Sequence, residues 1–143
     1  MIIDTTYILP LSRIGVDTDL LLDVDEGKIN LNIDDLGISM ISLFELQAKA
    51  AKLNVDPVFT SEAIDIINAE FRVEPFYNSH IIKISKGLLD VLNDYIDCII
   101  VATAIALRED LITEDGRIND NKKELENKYN INIFNYRDLI KKT

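Results

Sequence analysis

Four carboxylates are placed where they could do chemistry. Asp4 stands directly behind "MII", Glu45 closes "SLFE", Asp97 precedes "CIIVATAIAL", and Asp115 lies two residues after the last threonine of "LIT". Each falls where a short apolar run ends or a helical one begins. In a parallel sheet those positions share one edge, the carboxyl ends of the strands, where ligands bind. Acids gathered there repel one another unless cations or protons neutralise them. No Lys or Arg occurs within three positions of Asp4, Glu45 or Asp97. A set of oxygen ligands without His or Cys suits Mg²⁺ or Mn²⁺ rather than zinc. Removing one charge from such a cluster, as in Asp4→Asn, is expected to abolish the chemistry and to raise stability without metal.

Each acid also has an ordinary reading. Asp4 would cap the following helix. Ser42 and Glu45 match a capping box, in which each side chain satisfies a free amide at the helix start. Asp97 would serve the cap or dipole of the apolar helix, and Asp115 would sit in the "TEDGR" turn. Four acids arriving at one edge carry the functional reading, and none of them does so alone. Other candidates are weaker. The acid-rich "DTDLLLDVDEG" fails as a calcium loop, because Gly27 at its sixth position would put Leu22 where the first Asp is required. His80 is the only histidine and reads as solvated surface, and there is no Ser-His-Asp set or glycine-rich phosphate loop. A haloacid-dehalogenase-type phosphatase needs a second Asp two residues after the first, where this chain has Thr6, and no lysine is marked as it would be in a response-regulator receiver.

The elements that must position these acids follow an alternation of short apolar runs with longer helical ones. This predicts an α/β domain with a mainly parallel sheet. "MIID" reads as the first strand and "ISMIS" (Ile38 to Ser42) as the second, leading into "LFELQAKAAKL" with Leu43, Leu46, Ala50 and Leu53 on one face. "SEAIDIINAEF" reads as a helix starting near Ser61, "RVEPFY" as an edge strand because of Pro75, and "SHIIKISKGLLDVLN" as a helix. "CIIVATAIAL", from Cys98 to Leu107, carries no charge on any face and should be packed on several sides. "LIT" and "NKYNINIFNY" supply the last strands and "RDLIKK" a final helical turn. Residues 13 to 36 mix acids with short apolar pieces, and no firm element is placed there.

At 143 residues the chain fits one domain, 1–143, and its 48% hydrophobic content can fill a core. With no run of the roughly 20 apolar residues that a membrane helix needs and no signal-peptide pattern, the expected location is cytoplasmic. A single cysteine, Cys98, excludes an internal disulfide and reads as a buried thiol. The net charge of −10 opposes phosphate binding only on the surface, since ions held by the acids would belong to the working site.

The order Asp-Thr-Thr after the first strand, Ser-x-x-Glu-Leu at a helix start, Asp before "CIIVATAIA" and Thr-x-Asp after a short strand resembles the PIN-domain family, including the VapC-type toxins of toxin–antitoxin pairs. The resemblance runs from Asp4 to the last strand, and "DCIIVATAIALREDLITEDGRI" and "SLFELQAKA" are its specific part. It implies a three-layer α/β/α fold with a central parallel sheet and a metal-dependent ribonuclease site holding Mg²⁺ or Mn²⁺. Carried over residue by residue, Asp4, Glu45, Asp97 and Asp115 are the catalytic and metal-binding acids. Thr113 supports a carboxylate, with Thr5, Thr6 and Ser42 beside the acids. Thr6 stands where relatives more often carry Asn or Ser, and the stretch between Asp4 and Glu45 is longer than in compact toxins. The resemblance further implies an RNA substrate, a homodimer and an antitoxin partner. Lys83, Lys86, Arg108 and Arg117 are candidates for phosphate contacts around the rim. The rival reading is a non-toxin nuclease of RNA processing or decay, or a binding module that keeps the fold with weak chemistry.

Overall fold

The computed structural model describes residues 1–142, so the proposed span 1–143 ends on Thr143, outside the described residues. The five strands β1 (Ile2–Ile3), β2 (Gly37–Ser39), β3 (Arg72–Glu74), β4 (Leu111–Ile112) and β5 (Ile133–Phe134) are short. They form one sheet in the order β3-β2-β1-β4-β5, parallel at every pairing. The expected α/β architecture is therefore present, and its sheet is parallel throughout. No helix among the described residues is long and apolar enough to cross a membrane.

Alternation along these short strands divides the core in two. Ile2 pairs with Leu111 and both face one helix layer, while Ile3 pairs with Ile112 and both face the other. On the first face α4 (Ser79–Leu92) and α5 (Tyr95–Leu107) pack as a pair, followed by α6 (Gly116–Asp120) and α7 (Lys122–Tyr129). On the second lie α1 (Leu20–Asp25), α2 (Ile41–Lys52), α3 (Pro57–Glu70) and α8 (Tyr136–Lys142), with a 3₁₀ helix over Thr5–Ser12. As its composition requires, α5 is buried continuously from Cys98 to Ala104. Each fully buried aliphatic side chain contributes about 1.5–3 kcal/mol, so the two layers rather than the two- and three-residue strands hold the sheet in place.

The helix boundaries moved where cap chemistry outweighed apolar pattern. The helix read from Ser61 begins at Pro57, with Asp56 accepting from Val58 N at 3.0 Å and proline at the first helical position. "ISMIS" is strand only to Ser39, because Met40 and Ile41 already turn into α2. Asn127 to Tyr129, assigned to the last strand, belong to α7, which ends at Asn130 in the left-handed conformation. The unassigned residues 13–36 hold α1, capped by Asp19, and a 3₁₀ turn over Ile33–Asp35.

One close approach explains a glycine in the middle of the sheet. The guanidinium of Arg72 in edge strand β3 pairs with both carboxylate oxygens of Glu109, just ahead of β4, with Nη2 to Oε2 at 2.7 Å. A Cβ on Gly37 would meet Arg72 Nη2 at 2.8 Å and Ile2 Cδ1 at 3.1 Å. The side chain of Arg72 thus passes where only glycine leaves room. The pair holds Glu109 down to a pKa of about 2, Arg72 being the main cause. Gly37→Ala is accordingly expected to cost about 1 kcal/mol more in the wild type than in a Glu109→Gln background. Equal costs in the two backgrounds, measured by urea unfolding, would place the loss elsewhere in the sheet.

Candidate functional site

The sheet has its switch point between β1 and β4. From β1 the chain moves outward to β2 and β3, and from β4 it moves the opposite way to β5. In open α/β sheets the crevice at that point is where ligands bind. Here it is a cavity of about 210 Å³ lined by Asp4, Glu45, Asp97, Glu114, Asp115 and Lys49. All four acids singled out from the sequence line it, with Thr5 and Thr6 beside them.

Asp4 follows β1 and is nearly inaccessible, at 6% exposure. Its carboxylate is fully engaged. Oδ1 accepts from Thr6 N at 2.9 Å, and Oδ2 accepts from Thr113 Oγ1 and from Glu114 N at 3.1 Å. It therefore caps the 3₁₀ helix and ties the end of β1 to the end of β4. Burial nevertheless wins over these three donors and raises its pKa to about 6. Next to it Thr5 Oγ1 donates to Ser42 Oγ at 3.0 Å, both buried, which fastens the same segment to the first turn of α2.

That bond overturns the capping-box expectation. Ser42 is the second residue of α2 and not its cap, and the cap position, Met40, makes no side-chain bond. Glu45, one turn into α2, makes no hydrogen bond to any described residue and turns into the cavity. Asp97 is displaced from its expected cap role in the same manner. Asp94 caps α5, accepting from Ile96 N at 2.9 Å and Asp97 N at 3.3 Å. The Asp97 carboxylate is thereby left without a hydrogen-bond partner among the described residues. Asp115 does cap, accepting from Ile118 N at 2.8 Å at the start of α6, with its second oxygen uncommitted. Thr113 Oγ1 donates to Asp4 while accepting from Asp115 N at 3.0 Å, so one hydroxyl holds two of the acids in register.

Mutual repulsion is visible at Asp97. Its pKa rises from 3.8 to about 7, first through burial and then through the charges of Asp115, Asp94, Glu45 and Asp4. No three His, Cys, Asp or Glu side chains among the described residues stand as a ready-made metal cage. The acids line the cavity without converging on one point. The donor set still suits a hard cation: oxygens alone, three side chains with uncommitted oxygens, and a charge excess that burial cannot tolerate.

The sequence reading missed two lining residues and one neighbour. Lys49 stands four residues after Glu45, one helical turn along the same face, and that spacing was the available signal. Glu114 also lines the cavity, but its Oε1 accepts from Tyr7 Oη at 2.6 Å and Tyr136 N at 2.7 Å, which bind the ends of β4 and β5 together. Asp94 was legible only as a second acid in "NDYIDC".

None of the four rim cations lines the acid cavity. Arg108 ends α5, about 16 Å along the helix from Asp97, and faces a different cavity at the opposite edge of the sheet with Arg72 and Glu109. Lys83 and Lys86 stand exposed on α4, and Arg117 donates through Nε to Val91 O at 3.3 Å. His80 is exposed in the first turn of α4, as its surface reading implied.

An all-parallel α/β/α domain with acids at its switch point defines the class of protein. Residues 1–124 match the PIN domain, and the chain belongs to that family, whose members are in general nucleases that use divalent metals. No curated protein matches the chain. Among solved structures it is similar to VapBC2 from Rickettsia felis bound to a DNA fragment from the promoter, at 20% identity over 94% of this chain and 97% of that one, TM-score 0.63. It is also similar to FitAcB from Neisseria gonorrhoeae, at 16% identity over 94% and 96%, TM-score 0.62. A toxin–antitoxin complex from Klebsiella pneumoniae is 20% identical over 80% and 85%, TM-score 0.57. At these identities the likeness is one of fold.

The raised pKa values fix the sign of a pH dependence. A carboxyl whose pKa is higher folded than unfolded binds its proton more tightly in the native state, so stability falls as pH rises between the two values. For Asp97 that window runs from 3.8 to about 7. Without divalent ions the melting temperature should fall from pH 5 to pH 8, and Asp97→Asn should remove much of the fall, worth ~1–2 kcal/mol after solvent screening. Asp4→Asn should behave differently from the expectation drawn from charge alone. The amide would set a donor against Thr6 N or against Thr113 and Glu114 N, costing about 1–3 kcal/mol. An unchanged pH slope in Asp97→Asn, read by calorimetry in EDTA, would remove Asp97 as its source.

Proposed function

We propose that this protein is a metal-dependent endoribonuclease whose acids Asp4, Glu45, Asp97 and Asp115 hold one or two Mg²⁺ or Mn²⁺ ions. The observation that carries this reading is the Asp97 carboxylate, without a hydrogen-bond partner among the described residues and pushed to about 7 by burial and by neighbouring acids in a cavity lined by four others. A group so placed is costly to the fold and useful to a cation. The bound ions would supply a water of lowered pKa and charge to stabilise the scissile phosphate. Hydrolysis with in-line geometry leaves a 5′-phosphate and a 3′-hydroxyl.

The chain's own residues provide position and field. Thr113 and Glu114 N hold Asp4 at the end of β1, and Asp94 caps α5 so that Asp97 keeps both oxygens free. The amino terminus of α5, with its partial positive charge, lies beside Asp97 and favours anions there. RNA over DNA rests on the family resemblance, as do the homodimer and the cytoplasmic setting. One solved structure similar in fold, that from Klebsiella pneumoniae, is a toxin–antitoxin complex, which supports a toxin role here. The regulator would then be an antitoxin polypeptide placing an Arg among the carboxylates. A second reading, a binding module with weak chemistry, has one observation in its favour, the lack of a ready-made metal cage.

Asp97→Asn separates the two readings, because it should fold at least as well as the wild type. The nuclease reading expects wild-type protein to cleave single-stranded RNA in millimolar Mn²⁺, EDTA to stop it, and Asp97→Asn to lose at least about 100-fold in rate. Mn²⁺ should also raise the wild-type melting temperature by linkage and raise that of Asp97→Asn much less. Wild-type cleavage by Asp97→Asn would sink the site assignment, and absent cleavage with no Mn²⁺ shift would favour the binding module.

A further inference from the structure

A second cavity of about 400 Å³ adjoins the acid cavity, and the two share Thr6, Leu9, Lys49 and Glu114 as a common wall. Their linings differ in kind. The second is floored by Leu9, Ile14, Val16 and Leu53, with Gly15, the exposed Asp17 and Thr18 at its rim. Leu53, expected on the buried face of α2, is the C-cap just past that helix and stands 56% exposed on this wall. Lys49 is the only cation lining either cavity among the described residues, and its ammonium makes no ion pair with any described residue although six acids line the two cavities.

Size and chemistry divide the labour between the cavities. Pockets that enclose small organic groups run to roughly 300–1,000 Å³. The acid cavity, at about 210 Å³, suits ions and a phosphate, while the second has the volume and the apolar floor for a planar base. An unpaired ammonium on the ridge between them suits a phosphate, as a point charge within reach of both. A nucleic-acid strand presents these groups in this order: the scissile phosphate, then a base with its own phosphate beside it.

We infer that the trough formed by Leu9, Ile14, Val16 and Leu53 is a nucleotide subsite, holding an unstacked base one nucleotide on from the scissile phosphate while Lys49 takes the phosphate that joins the two nucleotides. This rests on the nuclease reading of the acid cavity and adds to it where the substrate strand runs. Because a base must leave its stack to enter the trough, the occupant is a single strand.

The test is fluorescence anisotropy with a labelled single-stranded RNA 12-mer and a set of copies each carrying one abasic position. Ca²⁺ replaces Mg²⁺ to supply charge. Lys49 and Leu53 are both exposed, so Lys49→Ala and Leu53→Asp should fold, which melting curves check. Each variant should weaken binding by about tenfold. One abasic position should weaken binding to the wild type several-fold and add nothing to the loss in Leu53→Asp. Wild-type affinity in either variant, or abasic losses that simply add to that of Leu53→Asp, would overturn the subsite and leave the trough to a protein partner. Failure of the nuclease reading looks different: Mn²⁺-dependent cleavage would be absent while the Lys49- and Leu53-dependent binding persisted.

Discussion

The bond between Asp4 and Thr113 holds the centre of this molecule. Strands two residues long cannot fix the relative height of β1 and β4 by ladder hydrogen bonds alone. A buried carboxylate accepting from the opposite strand's hydroxyl and the next backbone amide does so at their shared carboxyl end. From that point the order spreads. Thr5 carries it to Ser42 and α2, Thr113 carries it to the Asp115 backbone, and Glu114 carries it through Tyr7 and Tyr136 to the 3₁₀ helix and the end of β5. All of these links except that of Thr113 to Asp115 join residues far apart in sequence, and they gather at the switch point where the chain parts to either side of the sheet.

Around this hub the acids divide into those that do structural duty and those relieved of it. Asp94 takes the cap of α5 and Ser39 Oγ accepts from Ile41 N at 3.4 Å at the entry to α2, so neither Asp97 nor Glu45 is needed to finish a helix. Asp4 and Asp115 do cap, and both still line the cavity. Asp115 keeps one oxygen uncommitted, whereas both oxygens of Asp4 accept hydrogen bonds. Uncommitted carboxylates so close together are a cost to the fold, visible in the pKa of Asp97. The proposed cations would turn that cost into binding energy.

At the opposite edge of the sheet a carboxylate has a cation of the chain's own. There Glu109 has its counterion, Arg72, reaching past Gly37 to meet it, and its pKa falls instead of rising. Two acids in one small protein are shifted in opposite directions: burial and then neighbouring acids raise Asp97, while the hydrogen-bonded Arg72 lowers Glu109. On the acid cavity's wall one such cation is present, Lys49, and it stays unpaired. Its ammonium can serve a phosphate because it is not consumed by a neighbouring carboxylate.

By itself the sequence determined the fold class, most of the elements outside residues 13–36 and 116–126, and the four cavity acids, because these depend on local signals. Apolar periodicity, the uncharged stretch from Cys98 to Leu107, and acids at strand ends are all short-range patterns. It could not decide which acid caps which helix. Ser42 with Glu45, and Asp97 alone, satisfy cap patterns as well as the true partners do, and the choice turns on where the first helical residue falls, which packing sets. Lys49 had one local signal, its spacing of one helical turn from Glu45, but its second cavity, the place of Glu114 and the trough behind them were decided by tertiary structure. Their roles arise from the meeting of α2 with residues 14–18 and of β4 with Tyr7 and Tyr136, contacts between segments with no spacing relation in the chain. The placing of Arg108 at the far edge has the same cause: a helix about 20 Å long carries its two ends to opposite sides of the sheet, and only the assembled fold says which end faces the acids.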